Sequence, residues 1–112
     1  MAIYSNLSID QGTDFSSDIT VENANGGPAD LTGYTAFGQI RKTHSSVTAV
    51  DFTCLAHGGT GRISIKLSNI ATNAMKPGRY VYDIEIKNGA DGTITRVLEG
   101  QVEVTPGVTR SI

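Results

Sequence analysis

The chain of 112 residues has room for one domain with its own core and none for a second. Its hydrophobic share of 38%, with 6% aromatic and no tryptophan, points to a core of β-branched and aliphatic side chains, and therefore to sheet. A formal charge of -2 with interspersed signs argues against a nucleic-acid partner, the lone Cys54 leaves no intrachain disulfide or cysteine-based zinc site, and no apolar run is long enough for a membrane-spanning helix.

Taken in order, Ile3, Leu7 and Ile9 fall on one face of a two-residue repeat, which predicts a first strand over residues 2–9. No basic segment leads into an apolar run here, so no cleaved export signal is expected. Residues 10–14 break the pattern near Gly12, and Phe15, Ile19 and Val21 alternate in a second strand that continues the first around a kink. Residues 23–28, NANGGP, form a turn, and Leu31 is expected to plug one end of the core. A third strand over residues 34–42 sets Tyr34, Ala36, Gly38 and Ile40 on one face and Phe37 on the other; small residues inside predict close backbone approach or a bulky neighbour filling the space.

After a polar turn at residues 43–48, Val50, Phe52, Cys54 and Ala56 alternate in a fourth strand, and Ile63, Ile65 and Leu67 in a fifth beyond the glycine-rich residues 57–61. The period then changes: Ile70, Ala71, Ala74 and Met75 follow helical spacing behind Ser68 as N-cap, predicting one to two turns of helix at a crossover between sheets. A long hairpin over residues 78–106 closes the chain. A three-residue loop at residues 90–92, with Gly92 left-handed, would pair Tyr82 with Gly100 and set Asp83 opposite Glu99. Ile94, Leu98, Val102 and Val104 then share the inner face with Arg96, the one charge that strict alternation would bury. We expect its stem to carry it to the rim, in preference to a bulge or a carboxylate partner. These elements make an all-β, antiparallel sandwich of about seven strands with one short helical crossover, spanning residues 1–112 as a single domain.

None of the chemistry-bearing residues forms a persuasive constellation. His44 and His57 sit at opposite ends of the fourth strand, roughly 30 Å apart at ~3.3 Å per residue, too far to share a metal. Cys54 on an apolar strand face reads as packing, not as a nucleophile served by His57. Asp10, Asp14 and Asp18 read as carboxylates that protect strand edges. Residues 88–92 lack the acidic count of a calcium loop, and HGGTG lacks the lysine and helix of a phosphate cradle. No catalytic residue, metal, cofactor or small-molecule substrate is expected, and the protein does not read as an enzyme.

Two segments, DLTGYTAFGQIRK over residues 30–42 and KPGRYVYDIEIKNGADGTITRVLEGQVEVTP over residues 76–106, resemble small immunoglobulin-like virion proteins of tailed bacteriophages, among them myophage and cyanophage members. A related pattern occurs in the N-terminal module of phage baseplate upper proteins. The resemblance implies an immunoglobulin-like sandwich that serves in the virion as a baseplate, tail, neck or capsid-decorating part. Its partners would be other virion proteins and further copies of itself, with no nucleic acid and no membrane. Residues 1–9 and 105–112 are the candidate attachment arms, with Ile3, Tyr4, Leu7, Val108, Arg110 and Ile112 as candidate contacts. The competing reading is a carbohydrate- or host-surface-binding sandwich, which would normally expose aromatic rings on its loops; here the loops are Gly, Ser, Thr and Asn.

Overall fold

Alternating apolar side chains along nearly every strand leave each sheet one oily face, and two such faces bury each other. The computed structural model describes residues 3–22 and 25–108. Its elements are β1 (Ile3–Tyr4), β2 (Leu7–Asp10), β3 (Phe15–Thr20), β4 (Tyr34–Arg41), β5 (Val50–Asp51), β6 (Thr53–Ala56), β7 (Arg62–Leu67), helix α1 (Asn69–Ala74), β8 (Gly78–Asn88) and β9 (Ile94–Thr105). One sheet runs β1-β9-β8-β4-β5, with β2 also on β9, and the other runs β3-β7-β6. This is the immunoglobulin-type order, three strands facing an extended hairpin sheet. Pairing is antiparallel except where β1 and β2 lie parallel to β9.

The wholly buried side chains are almost all β-branched, among them Ile9, Ile63, Ile65, Ile84 and Val102, and Leu31 plugs the core as expected. The Phe52 ring is the central wedge, 6.3 Å from Phe15 and 6.1 Å from Tyr82 between ring centres. It fits because Gly38 has no side chain: a Cβ there would press on Ile84 and lie 2.7 Å from the Asp83 carbonyl and 3.3 Å from Phe52. The bulky neighbour predicted over Gly38 is thus Phe52 together with Ile84.

Several expectations are corrected. The first strand is two short pieces separated at Ser5 and Asn6. The second does not extend it within one sheet: at Gly12, with φ +85°, the chain passes from the sheet of β2 to the sheet of β3. The predicted fourth strand also changes sheets. Val50 and Asp51 pair with β4, residues 53–56 pair with β7, and at the changeover the Phe52 N–H donates to the Gly38 carbonyl at 3.0 Å. Helix α1 has the predicted cap, the Ser68 hydroxyl accepting from Ala71 N–H at 3.2 Å, but not the predicted face. Ile70 is 74% exposed while Thr72 is fully buried. The Thr72 hydroxyl donates to the Thr13 carbonyl at 2.7 Å and accepts from Gly12 N–H at 3.1 Å, so this polar side chain is turned inward to hold the inter-sheet passage.

In the closing hairpin Tyr82 does pair with Gly100, by a different route. Asn88 N–H donates to Thr93 C=O at 2.9 Å and Gly92 N–H to Asn88 C=O at 2.8 Å, so the loop has one residue more than predicted. Lys87 pairs with Ile94 and Glu85 with Arg96; a bulge beyond Glu85 then makes Val97 the extra residue and restores Ile84 opposite Leu98. The bulge reverses parity. Ile94 lies on the outer face, 53% exposed, instead of in the core, and Arg96 also faces outward. Of the predicted turn, Asn23 and Ala24 lie outside the described residues.

Adding a methyl group at Gly100 would drive a Cβ into the Ser5 main chain. Gly100→Ala should therefore lower unfolding free energy by about 1–3 kcal/mol, as overpacking does. Gly59→Ala, where the nearest atom is 4.0 Å from the new Cβ, should change it by less than ~0.5 kcal/mol. Denaturant titration of the two variants checks both.

Candidate functional site

The candidate arm at the N-terminus is built into the molecule's own sheet. Ile3 and Tyr4 pair with Leu98 and Glu99, and Leu7 to Asp10 with Val102 to Thr105, in the same register on both sides of the gap. Within the gap Ser5 N–H donates to Glu99 C=O at 2.8 Å, and the Asn6 side-chain oxygen accepts from Gln101 N–H at 3.1 Å, standing in for a main-chain carbonyl. The Ser5 carbonyl fills the space over Gly100 and accepts the Tyr82 hydroxyl at 2.6 Å. Ile3 and Tyr4 are 56% and 64% exposed, and Leu7 is half-buried against the core. Val108 is almost fully exposed beyond β9, while Arg110 and Ile112 lie outside the described residues.

The outer face of the six-stranded sheet is a polar lattice. The bulge delivers Arg96 between the like-charged neighbours Asp83 and Glu99, at 3.2 Å and 3.5 Å. Expected at the rim, Arg96 instead takes the two alternatives set aside, a bulge and carboxylate partners. Both ion pairs are solvent-exposed and worth no more than about 1 kcal/mol, enough to offset the carboxylate repulsion. Arg41 donates to the Ser46 carbonyl at 2.6 Å and to Gln39 at 2.8 Å, and Gln39 donates to Asp51 at 2.8 Å. A shallow open depression lies among these groups, with His44 at its border. Tyr4 and Phe37 sit on this face three strands apart, roughly 14 Å at ~4.8 Å per strand.

The other outer face contains a constellation that linear order hides. Asp18 on β3 accepts the Ser64 hydroxyl at 2.8 Å, and Ser64 on β7 lies 2.7 Å from His57 Nε2, just beyond β6. The residue types are those of a hydrolase triad, but the order is not. Because the serine proton goes to Asp18, His57 donates to the serine oxygen and cannot serve as its base. The chain ties three strands together. Only the joint register of β3 with β7 and β6 with β7, setting Asp18, Ser64 and Leu55 in one row, reveals it.

The remaining candidates are dispersed. Asp10 accepts from Thr105 Oγ1 at 2.9 Å and Asp14 from Asn69 N–H at 2.7 Å, so the three spaced aspartates serve three different places. In the hairpin loop Asn88 accepts from Ala90 N–H, and the Thr93 N–H holds the Asp91 carboxyl below the usual carboxylate range. Burial pushes the Cys54 thiol up to about 11, which leaves it inert at neutral pH. Among the described residues no three His, Cys, Asp or Glu side chains gather into a metal site, and no helix is long and apolar enough to cross a membrane. No protein-family model and no curated protein matches the chain.

Burial raises the Tyr82 hydroxyl to about 12, against ~10 for an unfolded tyrosine. A raised acid binds its proton more tightly in the folded state, so its contribution is complete below pH ~10 and lost as pH climbs through 12. Tyr82→Phe should therefore be less stable than the unaltered chain by about 1 kcal/mol at neutral pH. That gap should close between pH 10 and 12. A gap that stays constant in urea titrations across this range would contradict a buried, hydrogen-bonded hydroxyl.

Proposed function

We propose that this chain is a structural part of a tailed-phage particle, acting by protein–protein assembly as a baseplate, tail, neck or capsid-decorating component. The observation that carries the reading is where the two family-like segments fall. Residues 30–42 and 76–106 include β4, β8 and β9, which are consecutive neighbours in one sheet, so the resemblance follows a contiguous framework in space. Support also comes from the polar groups whose residue types suggest chemistry. His57, Ser64 and Asp18 tie strands, and Arg96 neutralises two carboxylates. Attachment in this reading uses exposed edges and ends, and Ile3, Tyr4 and Val108 are apolar groups exposed toward the two ends of the chain.

A glycan-binding face is the weaker reading. Tyr4 and Phe37 are exposed aromatics on one face, but the planar polar groups Gln39, Arg41, Asp83 and Arg96 between them bond to one another. A sugar would have to break those bonds. The deciding experiment is peptide mass spectrometry of purified particles, followed by placement of the chain in a cryo-EM map. We expect the protein at a fixed stoichiometry to other virion proteins. Its absence from particles would overturn the reading.

A further inference from the structure

Of the edge strands, β2, β3 and β5 carry Asp10, Asp18 and Asp51, charges that discourage pairing with another chain, while β1 has only two residues. Strand β6, Thr-Cys-Leu-Ala, has no charge and no proline and pairs on one side only, with β7. Its outward Leu55 is 60% exposed. Its inward Cys54 and Ala56 are only half-buried although Ile63 and Ile65 on β7 are fully buried, so the core margin is uncovered along this edge.

The phase of the edge is set by two hydrogen bonds. His57 N–H donates to Arg62 C=O at 2.8 Å, so residues 53, 55 and 57 direct their main-chain groups toward β7. Phe52, in the opposite phase, donates to Gly38 in the other sheet. Cys54 and Ala56 therefore turn their N–H and C=O groups to the open side.

We infer that β6 is a self-complementary edge at which two copies of this chain join about a two-fold axis through Leu55. In that register Cys54 of each copy exchanges main-chain hydrogen bonds with Ala56 of the other, and the two Leu55 side chains meet in the close, non-hydrogen-bonded position. The neighbouring antiparallel registers fail. Pairing Cys54 with itself sets Ala56 against Phe52, whose N–H is already taken by Gly38. Pairing Ala56 with itself sets Cys54 against Gly58, whose carbonyl already accepts from Leu31. Charge permits the union: Lys66 of one copy and Arg62 of the other would stand three strands apart, ~14 Å, beyond the screening length of ~8 Å at physiological salt.

So short an edge buries less than the ~1,200 Å² of a stable interface. The pairing is therefore weak in free solution and strengthens where copies are held side by side at high effective concentration. The inference rests on the assembly reading for its setting, but its test does not depend on particles.

The test is oxidative crosslinking at about millimolar protein, a concentration chosen for a weak interface, in a Cys54→Ser background. Leu55→Cys should form a disulfide-linked dimer, since Cα atoms in that position lie ~4.5 Å apart, within disulfide reach. Thr53→Cys alone should stay monomeric, and a mixture of Thr53→Cys and His57→Cys chains should crosslink to each other. On the unaltered chain, amide exchange at Cys54 and Ala56 should slow as concentration rises, which keeps the inference testable if a variant folds poorly. A Leu55→Cys chain that stays monomeric, Thr53→Cys crosslinking as fast as Leu55→Cys, or exchange independent of concentration would overturn the edge. Absence from particles would instead remove the phage setting and leave the dimer standing.

Discussion

The structure turns on one contact: a main-chain carbonyl, at Ser5, lodged over a glycine and held by a tyrosine hydroxyl. Gly100 provides the space and Tyr82, opposite it on β8, provides the proton at 2.6 Å. Strand β9 is thereby committed on both sides, antiparallel to β8 and parallel to β1 and β2. Parallel pairing of a short terminal strand is not strong by itself. It holds because the chain leaves the ladder at Ser5 and Asn6, gains two hydrogen bonds from the departure, and rejoins in register. From there β2 buries Ile9 and leads to Gly12, where Thr72 clamps the passage into the second sheet.

The same hairpin shows how a charge problem and a register problem are solved together. A loop one residue longer than predicted displaces the register, and a bulge at Val97 restores it. The bulge also turns Arg96 outward, between Asp83 and Glu99. With the predicted three-residue loop and no bulge those carboxylates would face each other unrelieved and Arg96 would point into the core.

Legibility in the sequence followed physical scale. The Ile63, Ile65, Leu67 alternation and the Ser68 cap are local patterns, and both appear as read. The Tyr82–Gly100 pairing was also legible, because an aromatic beside a strand glycine is a size-matched pair. The sheet change at Phe52 was not, since both sheets face one core and the apolar alternation runs through the changeover uninterrupted. Ser5 was invisible for another reason: its carbonyl does the work, and every residue has one. The tie among His57, Ser64 and Asp18 needs two strand registers at once, which no window of sequence contains. Ile70 misled because helical spacing marks a face without saying that a threonine will be satisfied by main-chain groups across the gap.

In the proposed assembly reading, attachment is a matter of edges. Three edge strands carry a carboxylate, a fourth, β1, has only two residues, and β6 is left uncharged with its Leu55 exposed. All of this presupposes that the N-terminal strand is fixed through Ser5, and a double-mutant cycle of Tyr82→Phe and Gly100→Ala measures that directly. Both changes act on the same carbonyl: once an alanine has displaced it, the tyrosine hydroxyl has nothing left to lose. The double variant should therefore be more stable than the sum of the single losses implies, by at least ~0.5 kcal/mol. Losses that add within ~0.3 kcal/mol would contradict the shared contact.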